Sequence, residues 1–209
     1  MTDSGVTGFW LLRHAIVEEN ARAILYGTMD VELCPASLID QRPMYASLAR
    51  RLPRPAKWFV TPLSRTRRTA EAIFAAGYPD APLTEQPELI EQNLGRWQGL
   101  AHAELPERLT LPVPPFWPHA ALEHPPGGET MQHVIERVGR ALERIAIDHV
   151  GRDIVLVMHG GSIRAAAAHA LHLDAETMLQ LSVQNLSLTR LERHPTAWRV
   201  VCVNELPGY

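Results

Sequence analysis

Two apolar runs in this chain each end in a histidine. Phe9-Trp10-Leu11-Leu12 leads into Arg13-His14 and the small Ala15, and Ile154-Val155-Leu156-Val157-Met158 leads into His159 and Gly160-Gly161. Short, continuous apolar runs mark strands buried on both faces, and open α/β sheets bind ligands beyond the carboxyl ends of their strands. Two such strands in one sheet would bring two histidines and an arginine around one small anion.

The rest of the chain supports that architecture. Strand-like segments fall at 8–13, 57–61, 153–158, 180–191 and 197–204, and helical patterns at 44–52, 65–76, 131–150 and 162–173. Alternating strands and helices predict an α/β three-layer sandwich, a mostly parallel central sheet flanked by helices. The last two segments, joined across His194-Pro195, predict an antiparallel hairpin at the edge of the sheet. With 209 residues, 46% of them apolar, the chain is read as one domain over 1–209.

One stretch interrupts the pattern. Over about 100–128, prolines stand at 106, 112, 114, 115, 118, 125 and 126. Proline fixes φ and removes an N–H, so this reads as an irregular insertion rather than a core element. Its place after the Glu91 block predicts a cover over the site, with Phe116 and Trp117 touching the substrate and favouring a less polar leaving group. His102, His119 and His124 are expected on its surface. Thr130 then reads as the cap of the next helix.

Charge and composition exclude some partners. A net charge of -3 and a pI near 6.4 argue against nucleic-acid binding, which needs a basic face. No apolar run is long enough to span a bilayer, and Met1 to Gly5 lack a secretory pattern, so a cytoplasmic protein without a membrane partner is expected. Cys34 and Cys202 have no metal-type spacing and read as structural thiols.

Four groups of residues carry candidate chemistry. Arg13 offers a guanidinium fork for phosphate oxygens, His14 a nucleophile, and Asn20 an amide donor at a turn. After His159, the two glycines permit a tight turn into a helix starting near Ser162, whose free N–H groups would face an anion. In the block Thr61-Pro62-Leu63-Ser64-Arg65, Ser64 reads as a helix cap that aims Arg65 at the same edge, whereas Arg67 and Arg68 point elsewhere around the helix. Glu91, set between Leu89-Ile90 and Leu94-Gly95-Arg96-Trp97, is a carboxylate in an apolar frame. Burial favours the protonated carboxyl, which suits a general acid, and Glu88 is the more exposed rival.

These motifs occur in the order found in the histidine phosphatase superfamily, and the chain resembles its phosphoglycerate mutase-like family. The resemblance rests on Arg13-His14-Ala15 with Asn20, the block from Thr61 through Arg65 to Ala70, Glu91-x-x-x-Gly95-x-Trp97, Pro126-Gly127-Gly128-Glu129, and His159-Gly160-Gly161. It implies that His14 attacks phosphorus and becomes phosphohistidine. It further implies that Arg13, Arg65 and His159 hold the phosphoryl oxygens with Asn20 assisting, and that Glu91 is the acid. No metal and no cofactor are implied, because arginines and helix ends stabilise the charge. The chain departs from the usual pattern at Ala15, where glycine is common, and at Gln98, where glutamate is common. The expected activity is metal-independent hydrolysis of a small-molecule phosphate ester. A phosphoglycerate mutase is the alternative, and a non-catalytic phosphate-binding protein on the same fold is the alternative from another class.

Overall fold

The structure, a computed structural model, describes residues 5–208. In chain order the first half contains β1 (Thr7–Arg13), α1 (Glu19–Arg22), α2 (Pro35–Asp40), α3 (Arg42–Arg51), β2 (Lys57–Val60), α4 (Ser64–Ala75) and β3 (Leu83–Glu85). The second half contains α5 (Met131–Asp148), β4 (Asp153–Met158), α6 (Gly160–Leu171), α7 (Ala175–Met178), β5 (Leu188–Arg193) and β6 (Trp198–Glu205).

The six strands form one sheet in the order β3-β2-β4-β1-β5-β6. β3, β2, β4 and β1 are parallel, and β5 and β6 form the antiparallel edge hairpin. One register matters most: Arg13 pairs with Met158 across β1 and β4, so the next residues, His14 and His159, leave the sheet side by side. Val60 of β2 pairs with Val157, which brings Thr61 to the same edge.

Side-chain alternation separates two cores. Ile154, Leu156 and Met158 join Phe9 and Leu11 on the α5–α6 face, whereas Val155 and Val157 join Leu12, Trp58 and Val60 on the α3–α4 face. β4 is therefore apolar at every position from 154 to 158, as the sequence pattern required, and each side chain so buried contributes about 1.5–3 kcal/mol. α6 packs closely on α5 because its facing residues are small. A Cβ built on Gly139 of α5 would lie 2.5 Å from His169 Nδ1.

The expected helices are found within two residues of their predicted ends, and Thr130 caps α5, its hydroxyl accepting from His133 N–H at 3.3 Å. Three expectations need correction. The segment 180–191 is a strand only from Leu188; residues before it turn, with Leu186 at φ +60°. Its alternation is real, but Leu186 N–H donates to Arg13 O, so the segment wraps the end of β1 instead of extending the sheet. Ser64 does not cap α4: it is the first helical residue, and its N–H and hydroxyl both donate to Asp30 Oδ1 at 2.8 Å. α6 begins at Gly160 rather than near Ser162, with His159 at the cap position.

The proline-rich stretch forms only short 3-10 turns, as proline dictates, yet it is tied into the core. Ala121 packs with α5, its N–H donating to Glu176 of α7 at 2.7 Å. Buried Glu123 accepts from the Thr110 hydroxyl and from Leu111 N–H, both at 2.8 Å. Among the described residues, no helix is long and apolar enough to cross a membrane.

Candidate active site

The two strand-end histidines meet. Their ring centroids lie 5.2 Å apart with 58° between planes, and the residues are 2% and 0% exposed. His14 Nδ1 lies 2.7 Å from its neighbour's carbonyl, Ala15 O. A carbonyl only accepts, so Nδ1 carries the proton and the Nε2 lone pair is left free in the neutral ring. Burial first, then the guanidiniums of Arg65 and Arg13, hold His14 well below its ordinary pKa, against an upward pull from Ala15 O. His159 is likewise held low, by burial and then by Arg65, His14, Arg13 and Arg137. Its Nε2 lies 2.9 Å from the Thr61 hydroxyl, and its buried Nδ1 has no hydrogen-bond partner.

The loops around His14 are fixed from distant parts of the chain. Asn185 Nδ2 donates to His14 O at 2.8 Å and to Ala15 O at 3.2 Å, and Ala15 N–H donates to Thr69 Oγ1 at 3.0 Å. Arg13 Nη1 donates to Val183 O at 2.6 Å. Arg65, fully buried at 0% exposure, donates from Nη1 to Met29 O at 2.7 Å and from Nη2 to Gly27 O at 2.8 Å. The Nε atoms of both arginines are buried without a partner. Arg67 and Arg68 point away, as expected, and pair with Glu85 and Glu32.

Glu91 joins the same site across the start of α6. Its Oε2 accepts from Gly161 N–H at 3.0 Å, and its Oε1 from Gln92 N–H at 2.9 Å. A Cβ at Gly161 would lie 2.3 Å from Glu91 Oε1, and one at Gly160 would press on Arg13 and Arg164. The glycine pair is therefore required by close approach of side chains, since neither residue has a positive φ. Arg137 of α5 holds the Glu91 segment, donating to Glu88 O and Ile90 O at 2.8 Å and to Glu91 O at 3.0 Å. It also forms a bidentate pair with Glu129, which accepts from Asn93 N–H at 2.8 Å. Glu88, the rival candidate, pairs with Arg144.

A cleft of about 190 Å³ opens beside these groups, lined by Arg13, Glu91 and Gly160 together with Tyr26, Trp117 and Arg164. A larger depression, about 710 Å³, lies around Lys57, His149 and Asp153 at the opposite end of the sheet and shares no residue with the site. Trp117 and buried His119 line the cleft, but Phe116 does not and is 53% exposed. The expectation of a two-aromatic cover is thus corrected to Trp117 alone, and His119 is not a surface residue. Asn20 is not brought to the histidines by any hydrogen bond: it is exposed on α1, and its Oδ1 accepts from Ala21 N–H at 2.7 Å. Among the described residues, no group of three or more His, Cys, Asp or Glu is placed to hold a metal ion.

Sequence reasoning missed Arg164, Arg137, Thr61 and Asn185. Arg164 carried one signal, a lone cation inside the apolar helix Ile163 to Ala168. Thr61 stood in the Thr61–Arg65 block without a role of its own, and Asn185 carried no signal, because their partners His159 and His14 are distant in the chain.

The model for the histidine phosphatase superfamily (branch 1) matches residues 9–206. A metal-independent phosphoserine phosphatase of Arabidopsis thaliana is 32% identical over 165 residues, 78% of this chain and 68% of that protein. A 2,3-bisphosphoglycerate-dependent phosphoglycerate mutase of Cytophaga hutchinsonii is 29% identical, covering 83% of this chain and 81% of that one. Among solved structures, a mycobacterial glucosyl-3-phosphoglycerate phosphatase superposes with a TM-score of 0.80 at 26% identity, over 96% of this chain and 99% of its own. The same mycobacterial enzyme has been solved with VO3 and with inorganic phosphate, at TM-scores of 0.77 and 0.76 and 26% and 25% identity, over 95% and 96% of this chain and 98% of each of those chains.

Proposed function

The chain belongs to branch 1 of the histidine phosphatase superfamily, and on that premise we propose that it hydrolyses a small phosphate monoester through a phosphohistidine on His14. Its enzyme class is that of a phosphoric monoester hydrolase. The observation that carries the mechanism is the geometry of His14: a buried strand-end imidazole 5.2 Å from the His159 ring, its Nδ1–H tied to Ala15 O so that the Nε2 lone pair is free.

In the first step the Nε2 lone pair attacks phosphorus as the ester P–O bond breaks. The ring becomes cationic at that moment, and the Nδ1–H to carbonyl bond strengthens with it. Arg13, Arg65 and His159 receive the phosphoryl oxygens. The buried Nε–H groups of Arg13 and Arg65 and the buried Nδ1 of His159, all without a protein partner, support that assignment, because groups already fixed in place need no reorganisation during reaction. Glu91 gives its proton to the leaving alkoxide. It then takes a proton from the water that attacks phosphohistidine, which releases phosphate and restores both residues.

The test is rapid-quench incubation of the protein with nitrophenyl phosphate, followed by isolation under alkaline conditions. Wild-type protein should carry acid-labile, alkali-stable phosphate on His14, and His14→Ala should carry none and release no phosphate. Turnover in His14→Ala would overturn the reading. Phosphate recovered on a second alcohol instead of in solution would reassign the chain to transfer.

A further inference from the structure

A neutral imidazole carries its proton on one ring nitrogen only, and His159 is held neutral. Its Nδ1 is buried and has no protein partner among the described residues. With a proton, that atom attracts a phosphoryl oxygen; as a bare lone pair, it repels one. The partner of the other nitrogen decides between the two, because whatever bonds Nε2 sets where the proton sits.

Nε2 lies 2.9 Å from the hydroxyl of Thr61, the residue that follows β2. The proton of that hydroxyl can be traced through its neighbours. Thr66, in the first turn of α4, has one hydroxyl proton and two carbonyls within reach, Leu63 O at 2.9 Å and Thr61 O at 3.1 Å. Carbonyls only accept, so the Thr66 proton goes to them, while its oxygen takes Thr61 N–H at 3.1 Å. Thr61 Oγ1 is itself supplied with a donor, Leu63 N–H at 3.4 Å. Its own proton is left with two acceptors, His159 Nε2 at 2.9 Å and Thr66 Oγ1 at 3.3 Å. The nitrogen is the nearer, and its ring lone pair is the more basic. Thr61, Thr66 and His159 are all buried, so bulk water does not compete for these protons.

Resting on the phosphatase reading above, we propose that Thr61 is a positioning residue: its hydroxyl donates to His159 Nε2, which fixes the ring proton on Nδ1 and makes that atom a donor to the transferred phosphoryl group. Thr61 does not line the cleft and acts only through His159. The two histidines then use one tautomer in two ways. His14 gives its Nδ1–H to Ala15 O and keeps the Nε2 lone pair for phosphorus. His159 receives a proton at Nε2 and keeps Nδ1–H for the oxygens. A backbone carbonyl sets the first ring and a side-chain hydroxyl sets the second, so each ring presents the end its part requires.

The test is nitrogen NMR of protein with isotopically labelled histidines, read together with vanadate inhibition and turnover of nitrophenyl phosphate. Proton-bearing and lone-pair ring nitrogens resonate far apart, and the His159 signals are those missing from His159→Asn. Wild-type protein should carry the His159 proton on Nδ1. Thr61→Val keeps the shape of the side chain and removes the hydroxyl, so the proton should spread to Nε2. Vanadate binding and kcat/KM should then each fall by about ten- to a hundred-fold, the usual size of a charged hydrogen bond. Thr61→Ser restores the hydroxyl and should recover the tautomer and most of both losses. A residue with a purely structural part would lower stability without moving the ring proton. A wild-type proton on Nε2, an unchanged tautomer or undiminished vanadate inhibition in folded Thr61→Val, or a serine variant as impaired as the valine one would overturn the proposal. If Thr61→Val does not fold, the wild-type spectrum decides. Failure of the phosphatase reading looks different: no phosphohistidine on His14 and no release from nitrophenyl phosphate, whatever the His159 spectrum shows.

Discussion

Replacing Gly161 with alanine separates the role of Glu91 from that of the rest of the site. The added methyl would start 2.3 Å from Glu91 Oε1 and 3.2 Å from its Cδ, while ordinary contact begins near 3.4 Å, so the carboxyl must retreat by about 1 Å. Nothing else is crowded to that degree, since the next atom, Met131 Cε, lies at 3.4 Å. Gly161 sits inside α6 with no positive φ, and alanine in a helix is favoured over glycine by about 0.5–1 kcal/mol, which offsets part of the clash. The variant should therefore fold with a melting temperature close to that of the wild type.

Its chemistry should change selectively. A misplacement of about 1 Å costs a catalytic group on the order of 100-fold, or about 2.7 kcal/mol of barrier. An alkyl phosphate, whose alkoxide needs the proton, should show that loss in its first turnover. Nitrophenyl phosphate leaves as a weakly basic phenolate, and its burst should slow by no more than about three-fold. Hydrolysis of phosphohistidine also uses Glu91, so phosphoenzyme should accumulate with nitrophenyl phosphate, whose first step is nearly unimpaired. Burst kinetics on both esters is the measurement, with Glu91→Gln as the reference. Equal slowing of the two bursts, or an unimpaired alkyl ester, would refute the assignment of Glu91 as acid.

Two further outcomes follow from the same geometry. Arg137→Lys removes the fork that joins Glu129 to three carbonyls of the Glu88–Glu91 segment; unfolding should cost about 3 kcal/mol less by denaturant titration, and the alkyl ester should suffer more than nitrophenyl phosphate, whereas a stability loss with no change in leaving-group dependence would limit Arg137 to a structural part. Stability should also fall as pH drops below 6.5, the ordinary histidine value, because the unfolded chain then binds protons that His14 and His159 refuse while folded; the slope approaches two protons, about 2.7 kcal/mol per pH unit, and is absent above that pH. Denaturation midpoints at pH 7.5 and 5.5 measure it, and equal midpoints would contradict the buried neutral state.

The parts of this protein legible in its sequence are those fixed by neighbouring residues. Apolar runs set β1 and β4, periodicity set α3 to α6, and Thr130 set the start of α5, because each depends on contacts a few residues apart. The histidines at the strand ends belong to this class. Local pattern also misled where a distant partner intervened. Residues 180–187 alternate like a strand but turn, because Val183 O and Asn185 are taken up by Arg13 and His14 at the other end of the chain. Gly160 and Gly161 read as turn residues, yet it is their lack of a side chain near Glu91 and Arg13 that the fold requires.

What the tertiary structure alone decided is which charges are paired. The order of residues marks Arg164 as a cation among apolar neighbours, but it does not show that Arg137 is locked to Glu129 while Arg164 is buried against carbonyls and a tryptophan ring with no carboxylate. The same holds for Trp117 turning in while Phe116 stays out, and for Asn20 remaining on the surface of α1. Hydrophobic periodicity is a local property, so the sequence by itself determined β1, β2, β4 and β6, the layers of helices around them and the two histidines at the sheet edge, whereas the short edge strand β3 had no such pattern. Strand register and the burial it brings join segments far apart in the chain, β1 and β4 being more than a hundred residues apart, and they took shape only when Arg13 came to lie opposite Met158.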